Sequence, residues 1–448
     1  MAELDSGLTA WMLVSASLVL LMTPGLAFFY GGMVRGKAVL NMMMMSFGAM
    51  GVVGVLYVLW GWSMSYGSGV LTTNGDSGGF FGNPFEQFAL GGGGVFDEAG
   101  EAVIDGGLPI IVDVGFQATF AIITVALISG ALAERVKFST WLVFTGLWVT
   151  LAYFPMSHMV WGGGLLSADG PFAGIADPVD FAGGTVVHIN AGVAALVLVL
   201  IVGKRKSFGK EPMRPHNLPF VMLGAALLWF GWFGFNAGSA YGADGLAGLA
   251  WVNTSTAAAA AILGWLVTER IRDGHATSLG AASGVVAGLV AITPAAGSLH
   301  PVGAIVLGLV AGALCALAVG LKYRFGYDDS LDVVGVHLVG GLVGTVAIGF
   351  LATDGGLFYG GGASLLAVQI IIAAVAITLS AVVTLVIGLA LKATMGWRVA
   401  DEVEVSGIDL GVHGEGAYEV LGGGRVRQSE PATGLGSGAD RATTEVKA

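Results

Sequence analysis

The stretch Asp180–Gly192, DFAGGTVVHINAG, begins an apolar helix and places His188 inside it. A second stretch, Asp332–Gly341 (DVVGVHLVGG), does the same with His337. In both, a glycine follows the histidine four residues later, one helical turn along the same face. Ionisable groups inside a membrane span are rare and usually mark a path for a substrate or a proton. We therefore predict a protein-lined pore around the two histidines.

Composition excludes a soluble globular chain. Of 448 residues, 55% are hydrophobic and 11% are charged, and the mean hydropathy is +0.82. The apolar residues come in long runs separated by short polar breaks, which predicts repeated membrane crossings. Seventy-five glycines suit a helical bundle whose backbones approach closely. The single cysteine, Cys315, excludes an internal disulfide framework, and we expect neither a metal site nor a cofactor.

Apolar runs of about 18 or more residues predict eleven transmembrane helices. They cover residues 8–31, 38–62, 110–133, 139–160, 182–202, 218–236, 247–268, 279–297, 301–321, 332–352 and 363–396. Only Gly297–His300 separates the eighth from the ninth, and the eleventh is long enough to overshoot a bilayer core of about 30 Å. We predict an all-α polytopic membrane protein with a transmembrane domain at 1–396 and a cytoplasmic tail at 397–448.

Charge determines the predicted orientation. All nineteen Lys and Arg residues lie at or after the end of the first, third, fifth, seventh, ninth or eleventh predicted helix, and none lies on the alternate loops. Under the positive-inside rule the N-terminus lies outside and the tail lies in the cytoplasm, with the chain in the inner (plasma) membrane. Because Met1–Asp5 lacks the basic region of a signal peptide, we expect the first helix to be retained.

The outer loop 63–109 is rich in Asp and Glu and contains no Lys or Arg. It could raise the local cation concentration at an outer mouth. Alternatively, the loop is acidic only because outer loops exclude Lys and Arg.

The two histidines lie on the fifth and tenth predicted helices. Two blocks of five helices, an odd number, have opposite orientations in the membrane, so helices 1–5 and 6–10 are predicted to form an inverted repeat. Apart from each histidine and its glycine, the halves share little sequence. In many transporters the substrate path lies where such halves meet.

Two facing imidazoles can share a proton and offer polar atoms to a small neutral guest, because a neutral ring has one donor and one acceptor. Alternatively, each ring simply bonds a backbone carbonyl across a helix gap; the matching places in opposed halves favour the pore. Depth is a difficulty. At 1.5 Å per residue, His188 lies about 10 Å below the outer end of its helix and His337 about 9 Å above the inner end of its own. This arithmetic leaves a vertical gap unless tilt or a recessed mouth closes it.

Asp180 precedes His188 by eight residues at the outer start of the fifth helix. A carboxylate there is typical of a helix N-cap, and the alternative is a group that attracts cations or handles protons near the mouth. Phe120 shares one face of the third helix with Phe116, Trp161 follows the fourth helix, and Trp232 and Phe235 belong to an aromatic cluster at the outer end of the sixth. Most are expected in an interfacial aromatic belt, but a few rings could hold a cation, with the nearby Ser239 accepting a hydrogen bond.

Several motifs together strongly resemble the ammonium transporter family, which includes the Amt, Mep and Rh proteins, and the bacterial Amt type in particular. They run in order along the chain and comprise Pro24–Gly32 (PGLAFFYGG), Gly130–Arg135 (GALAER), Asp180–Gly192, Gly231–Ser239 (GWFGFNAGS) and Gly335–His337. The resemblance implies a homotrimer of eleven-helix subunits, each with its own pore.

The resemblance also implies a role for individual residues. Phe120, Trp161 and Ser239 match an outer site that recruits ammonium, and Phe120 and Phe235 match two stacked rings that close the mouth. Asp180 matches a buried carboxylate that supports recruitment and deprotonation. His188 and His337 match the family's twin histidines, which line the pore in hydrogen-bonding contact. Trp232 matches an aromatic residue of the pore wall.

In the tail, Gly407–Tyr418 resembles the C-terminal region that couples subunits in the family, and many bacterial members are blocked from inside by a PII-type signalling protein. We therefore expect ammonium or methylammonium as substrate, and the lipid bilayer and a PII-type regulatory protein as partners. We expect no nucleic-acid partner and no enzymatic activity. Three alternatives remain open: an ammonium sensor that acts through its tail, a passive gas channel of the Rh type, and a membrane enzyme with a metal on the histidine pair.

Overall fold

The computed structural model describes residues 3–73 and 78–418. Within that part of the chain, eleven helices are long and apolar enough to cross a membrane. They are α1 (Ser6–Met33), α2 (Val39–Tyr66), α3 (Ile110–Leu132), α4 (Phe138–Trp161), α5 (Gly184–Val202), α6 (Leu218–Ala237), α7 (Gly245–Asp273), α8 (Ser278–Ala295), α9 (Pro301–Phe325), α10 (Val334–Leu351) and α11 (Ser364–Thr394). The predicted all-α, eleven-helix fold is confirmed.

The end of α7 shows how far an apolar count can miss a helix boundary. The hydrophobic pattern ends at residue 268, whereas α7 continues to Asp273. Its last turn carries Arg270 and Arg272, which are favourable at a helix C-terminus but add nothing to hydropathy. Gly274, with a φ of 81°, then ends the helix in the left-handed conformation.

The predicted break between α8 and α9 is present. A 3-10 turn at Thr293–Ala295 ends α8, and α9 begins at Pro301. From α7, the Asn253 amide nitrogen donates to the carbonyl oxygens of Ala296 (2.8 Å) and Leu299 (2.7 Å). The break is therefore stable although it is buried, because its backbone acceptors have partners.

Several helices contain a π-helical turn, which an apolar pattern of period 3.6 does not reveal. These turns lie in α2 (Tyr57–Gly61), α4 (Val149–Tyr153), α5 (Gly184–Ile189), α6 (Phe233–Ala237) and α10 (Val334–Leu338). π-helical turns are rare in proteins, and those that do occur are often found at functional sites. The turns in α5, α6 and α10 contain His188, Phe235 and His337 respectively.

The long acidic loop between α2 and α3 contains two short antiparallel hairpins. Strand β1 (Gly69–Val70) pairs with β2 (Phe81–Gly82), and β3 (Ile104–Asp105) pairs with β4 (Leu108–Pro109). Residues 74–77 of this loop lie outside the described residues.

After α11 the chain packs back onto the bundle and forms a short helix, α12 (Asp401–Ser406). The Val399 N–H donates to the Arg135 carbonyl (3.1 Å). The Asp409 carboxylate accepts from the backbone N–H groups of Leu40 (3.0 Å) and Asn41 (2.8 Å) at the start of α2. Residues up to Ala417 therefore belong to the same compact unit as the helices. The division of the chain at 396 stays a prediction, and residues 419–448 of the tail lie outside the described residues.

The bundle has two ends, which differ in the helix termini that they contain. The tail face comprises the ends of α1, α3, α5 and α9, the start of α10 and the tail residues 397–417. The vestibule face comprises the starts of α3 and α5, the ends of α4 and α6 and the end of α10.

Candidate functional site

The two histidines meet in the interior of the bundle. His188 Nδ1 lies 3.3 Å from His337 Nδ1, and the ring centroids are 5.4 Å apart. The side chains are almost fully buried, at 1% and 3% exposure. At this distance one neutral ring can donate to the other, and the tautomer decides which ring is the donor. Within the described part of the chain the two rings contact each other, which favours the facing pair over the alternative of separate bonds to backbone carbonyls.

The glycine four residues after each histidine brings the two helices together. A methyl group added at Gly192 would meet the Leu338 backbone nitrogen at 2.5 Å, and one at Gly341 would meet His188 Cβ at 3.0 Å. The later residue of α5 lies against the earlier residue of α10, so the two helices cross in opposite directions. This crossing is the arrangement expected of an inverted repeat.

The vertical gap between the histidines is closed because both helices begin inside the protein. Before α5, Asp180 and Ala182 are buried, and before α10, Asp328 and Asp329 are buried. Their burial agrees with recessed helix starts, which is one of the two conditions under which the estimate from sequence leaves no gap.

A narrow apolar cavity surrounds the histidine pair. Its lining comprises Met22, Leu26, Phe29, Ile123, Leu127, Val187, His188, Leu228, Trp232, Phe235, Val286 and His337. The Trp232 ring stacks on His188 at 5.6 Å, and its indole N–H donates to Thr293 Oγ1 (2.8 Å), which fixes the ring in place. His188 Nε2 is buried without a hydrogen-bond partner among the described residues. A polar guest in this cavity would find that nitrogen free.

An open vestibule of about 470 Å³ lies on the other side of two stacked rings. Phe120 and Phe235 stack with centroids 4.1 Å apart; Phe120 lines the vestibule and Phe235 lines the histidine cavity. Trp161 meets Phe120 edge-on at 6.0 Å, and Ser239 lines the same space. The structure therefore brings together the three residues matched to a recruitment site, with the ring pair as the barrier behind them.

Asp180 acts as the cap of α5. Its carboxylate accepts from the backbone N–H groups of Gly183 (2.8 Å), Gly184 (2.6 Å) and Thr185 (2.8 Å), and from the Thr185 hydroxyl. Burial raises the pKa of the Asp180 carboxyl, and these hydrogen bonds oppose that rise. The Asp180 carbonyl accepts from the Trp161 indole N–H (2.9 Å). Asp180 thus supports the vestibule from below instead of lining it, and its transport role stays a prediction.

Asp329 is the counterpart of Asp180 and was missed from sequence. It precedes His337 by eight residues, as Asp180 precedes His188, and it accepts from the backbone N–H groups of Val333 (3.1 Å) and Val334 (2.8 Å). Burial, together with the charge of Asp332, raises the pKa of Asp329 to about 6. The shared eight-residue spacing was the signal that would have revealed this residue.

A second narrow cavity continues from His337 toward the tail face. It is lined by Phe29, Tyr30, Met33, Ser283, Val286, Leu331, Asp332, Val336 and His337. At its end, Lys322 Nζ donates to Asp332 Oδ1 (2.6 Å). Because Phe29, Val286 and His337 line both narrow cavities, the two cavities adjoin at the histidine pair, and together they are called the histidine route below.

A buried charge network holds the tail face around this route. Arg205 binds the Asp328 carboxylate through two side-chain bonds of 2.9 Å, and Arg135 lies 3.8 Å from the same carboxylate. Glu134 lies 3.5 Å from Arg205 and pairs with Arg35 at 2.6 Å. Burial acts to raise the pKa of Asp328, but the hydrogen bonds from Arg205 and the two positive charges lower the pKa below its usual value.

Among the described residues, no three His, Cys, Asp or Glu side chains are grouped closely enough to hold a metal ion. The fold and the site define a class of protein: a polytopic helical membrane protein in which a narrow two-histidine route lies behind an open aromatic vestibule.

Comparison with known proteins identifies the family. The model of the Ammonium Transporter Family matches residues 10–418, and the chain belongs to this family. The chain is 55% identical to an ammonium transporter of Mycobacterium tuberculosis over 93% of its own length and 91% of that protein. It resembles the crystal structure of Saccharomyces cerevisiae Mep2 with a TM-score of 0.78 at 32% identity, covering 89% of this chain and 88% of Mep2. A structure described as a sensor Amt protein gives a TM-score of 0.80 at 27% identity, covering 90% of this chain and 98% of that one.

Proposed function

We propose that the protein transports ammonium across a membrane, and that ammonia passes the histidine pair after ammonium has lost a proton. Ammonium docks in the vestibule against the rings of Phe120 and Trp161, with Ser239 Oγ accepting a hydrogen bond. It gives up a proton near the stacked pair of Phe120 and Phe235. The observation that carries the proposal is the 3.3 Å contact of His188 with His337 in a narrow cavity behind those rings.

The physical reason for ammonium is that this cation can shed its charge. An ion in an apolar cavity loses its hydration at a large cost in free energy, and potassium cannot avoid that cost. Ammonia has hydrogen-bond donors and one lone pair, which suit the unpartnered His188 Nε2. Trp232 stacks on the ring of His188 at 5.6 Å and so restricts the movement of that ring.

The proton follows separately in this proposal. Asp180 is a buried carboxylate near Trp161, and the shared proton of the histidine pair offers a further carrier. Net movement of charge would then accompany transport. A passive gas channel of the Rh type is the runner-up, and current recording across a supported membrane after an ammonium pulse separates the two: a current supports the electrogenic route, and its absence supports the gas channel.

The setting proposed for the chain is an inner-membrane homotrimer with the N-terminus outside and the tail face in the cytoplasm. The separation of all nineteen Lys and Arg residues onto one side supports this orientation. The tail segment around Asp409 packs at the start of α2, and this contact with the bundle supports the proposal that a PII-type protein regulates transport through the tail.

Uptake of methylammonium into proteoliposomes tests the role of the histidine pair. We expect His188→Ala to lower uptake and to lose selectivity against potassium, because the apolar route would widen and take up water. The matched control is His275→Ala, an exposed histidine at the tail face, which should leave both quantities unchanged. If His188→Ala excludes potassium as well as the wild type does, the proposed role of the pair is wrong.

A sensor is the second candidate function, since a structure similar to this chain is described as a sensor Amt protein. Binding of ammonium without flux into proteoliposomes would support a sensor over a transporter. A metal-dependent enzyme is the weakest alternative, because two histidines without a third nearby ligand form a poor metal site.

A further inference from the structure

A second polar group lies in the vestibule beyond Trp161. Asp113 and Gln117 are four residues apart on α3, so they share one face of the helix, and both line the vestibule. Tyr241, in the connection between α6 and α7, lines it as well. The Tyr241 hydroxyl donates to Asp113 Oδ1 (2.6 Å) and accepts from Gln117 Nε2 (2.6 Å). One hydroxyl thus holds a carboxylate and an amide together at the cavity wall.

This arrangement leaves hydrogen-bond acceptors without donors. Gln117 is only 7% exposed, and its Oε1 is buried without a partner within the described part of the chain. Asp113 forms no ion pair with any described residue. No Lys or Arg occurs between residues 38 and 134 of the sequence. A buried unpaired acceptor is costly, so a donor that enters the vestibule beside Gln117 would lower that cost.

The backbone of Tyr241 has a conformation that is rare for a bulky residue. Its φ is 49°, in the left-handed region that a bulky residue rarely adopts. Such strain persists only where the surroundings hold it, and it is frequent at binding sites. The ring packs edge-on against Phe116 at 5.8 Å, and Phe116 in turn contacts Phe120 at 4.9 Å. Phe116 therefore connects this group to the recruitment residues.

We propose that Asp113, Gln117 and Tyr241 form a second cation subsite in the vestibule, which takes ammonium or a primary alkylammonium ion before it reaches Trp161 and Phe120. The inference rests on the proposed transport of ammonium. An ammonium ion supplies several N–H donors and a positive charge, which match the carboxylate of Asp113 and the free carbonyl of Gln117. Tyr241 is the positioning residue, because its hydroxyl orients both groups.

The subsite raises the affinity of the transporter for its cation. It does not contribute to the selectivity for ammonium over potassium, which depends on later steps of transport. Capture by a carboxylate at an open mouth acts on any small cation through its charge. Selection against potassium remains with the apolar route behind Phe235. Loss of the subsite should therefore raise KM for the transported cation, whereas the maximal rate and the exclusion of potassium stay as in the wild type.

The test is the concentration dependence of methylammonium uptake into proteoliposomes. We expect Asp113→Asn to raise KM about fivefold, the factor expected for two unit charges about 4 Å apart in water. Gln117→Leu should raise KM by a smaller factor because it removes an acceptor without a charge. The matched control is Asp354→Asn, which removes an exposed carboxylate at the end of α10 on the same face but outside the vestibule.

Ionic strength separates capture of a cation from a purely structural role. Between about 0.01 M and about 0.15 M salt the screening length falls from about 30 Å to about 8 Å. The ratio of KM between Asp113→Asn and wild type should fall toward one over this range. An unchanged ratio, or a loss of maximal rate without a change in KM, would overturn the subsite.

The same uptake experiment distinguishes failure of the subsite from failure of the proposed transport function. If the wild type moves no methylammonium, the transport proposal fails first. If the wild type is active and Asp113→Asn has the same KM, the subsite alone is wrong. Should Asp113→Asn not fold, Tyr241→Phe keeps the ring and the carboxylate, and it should still raise KM while the protein elutes as the wild type does.

Discussion

The two ends of the histidine route differ in how they treat charge. At the vestibule face an open space of about 470 Å³ leads to Trp161 and Phe120, and its carboxylates have no basic partners among the described residues. At the tail face, the acids beside the route are paired: Asp332 with Lys322, and Asp328 with Arg205. One end is therefore suited to attract a cation from water, whereas the other stabilises the fold and the tail.

The same comparison separates two carboxylates that occupy matched positions. Asp180 and Asp329 each lie eight residues before a histidine and cap a helix that begins with or near a π-helical turn. Asp180 lies behind the aromatic vestibule, while Asp329 is surrounded by the charges of Lys322 and Asp332. The repeat thus supplies the same local structure twice, and the surroundings give each copy a different electrostatic environment.

Asp328→Asn should have the largest effect on stability. It leaves Arg135 and Arg205 buried without their carboxylate, and breaking a buried pair costs about 3–5 kcal/mol. The control Asp401→Asn breaks an exposed pair with Lys206 and should cost less than about 1 kcal/mol. Thermal unfolding in detergent measures both, and equal shifts of the two variants would contradict a special role for the tail-face network.

The pH dependence of this network follows from the lowered pKa of Asp328. A carboxyl whose pKa is lower in the folded state stabilises the protein fully above its unfolded value of about 3.9. That stabilisation is lost as the pH falls through the folded pKa. The wild type and Asp328→Asn should therefore converge in stability at the acid end of a pH series.

Gly192→Ala should have the next largest effect on stability. It changes the crossing of α5 and α10, which lies between the vestibule face and the tail face. The added methyl group meets the Leu338 nitrogen, so α5 and α10 must move apart, at a cost of about 1–3 kcal/mol. The histidine rings would separate, and methylammonium uptake should fall by more than the loss of folded protein explains. Gly51→Ala, on α2 with no atoms within 4 Å of the added group, should leave uptake unchanged. Equal uptake by the two variants would argue that the close crossing is dispensable.

Asp180→Asn and Asp329→Asn sharpen the comparison most. Both oxygens of each carboxylate accept backbone N–H groups, so Asn keeps one acceptor and turns an NH2 donor toward the other N–H, at a cost of about 1–3 kcal/mol in each variant. We expect uptake of methylammonium to fall in Asp180→Asn and to persist in Asp329→Asn, because only Asp180 lies behind the recruitment residues. Equal uptake per folded molecule in the two variants would remove the proposed asymmetry.

Much of the architecture was predictable from apolar run lengths and from the positions of Lys and Arg. Eleven helices were found with bounds close to those observed, since burial in lipid demands long apolar segments whatever their partners. Errors occurred where other forces act, as in the charged last turn of α7. The π-helical turns were missed because they insert one residue into a helix without changing its composition.

The site was predicted in part. Motifs identified His188, His337, Phe120 and Trp161, and the structure brings each of these residues to the route or to its vestibule. Asp113, Gln117 and Tyr241 were not found, because their grouping joins α3 to a connection more than a hundred residues away. A sequence pattern shows the face of one helix but not which distant loop covers that face.

Sequence by itself determined the number of membrane crossings, the side on which basic residues gather and the two helices that contain a histidine, because each follows from local composition in a lipid environment. Run lengths and residue spacing could not bring the two rings together; only the family resemblance implied their contact, and the tertiary structure shows it. The contact depends on two glycines, Gly192 and Gly341, that let α5 and α10 cross closely. Distances between residues far apart in the chain depend on packing, and packing depends on all the neighbouring helices at once.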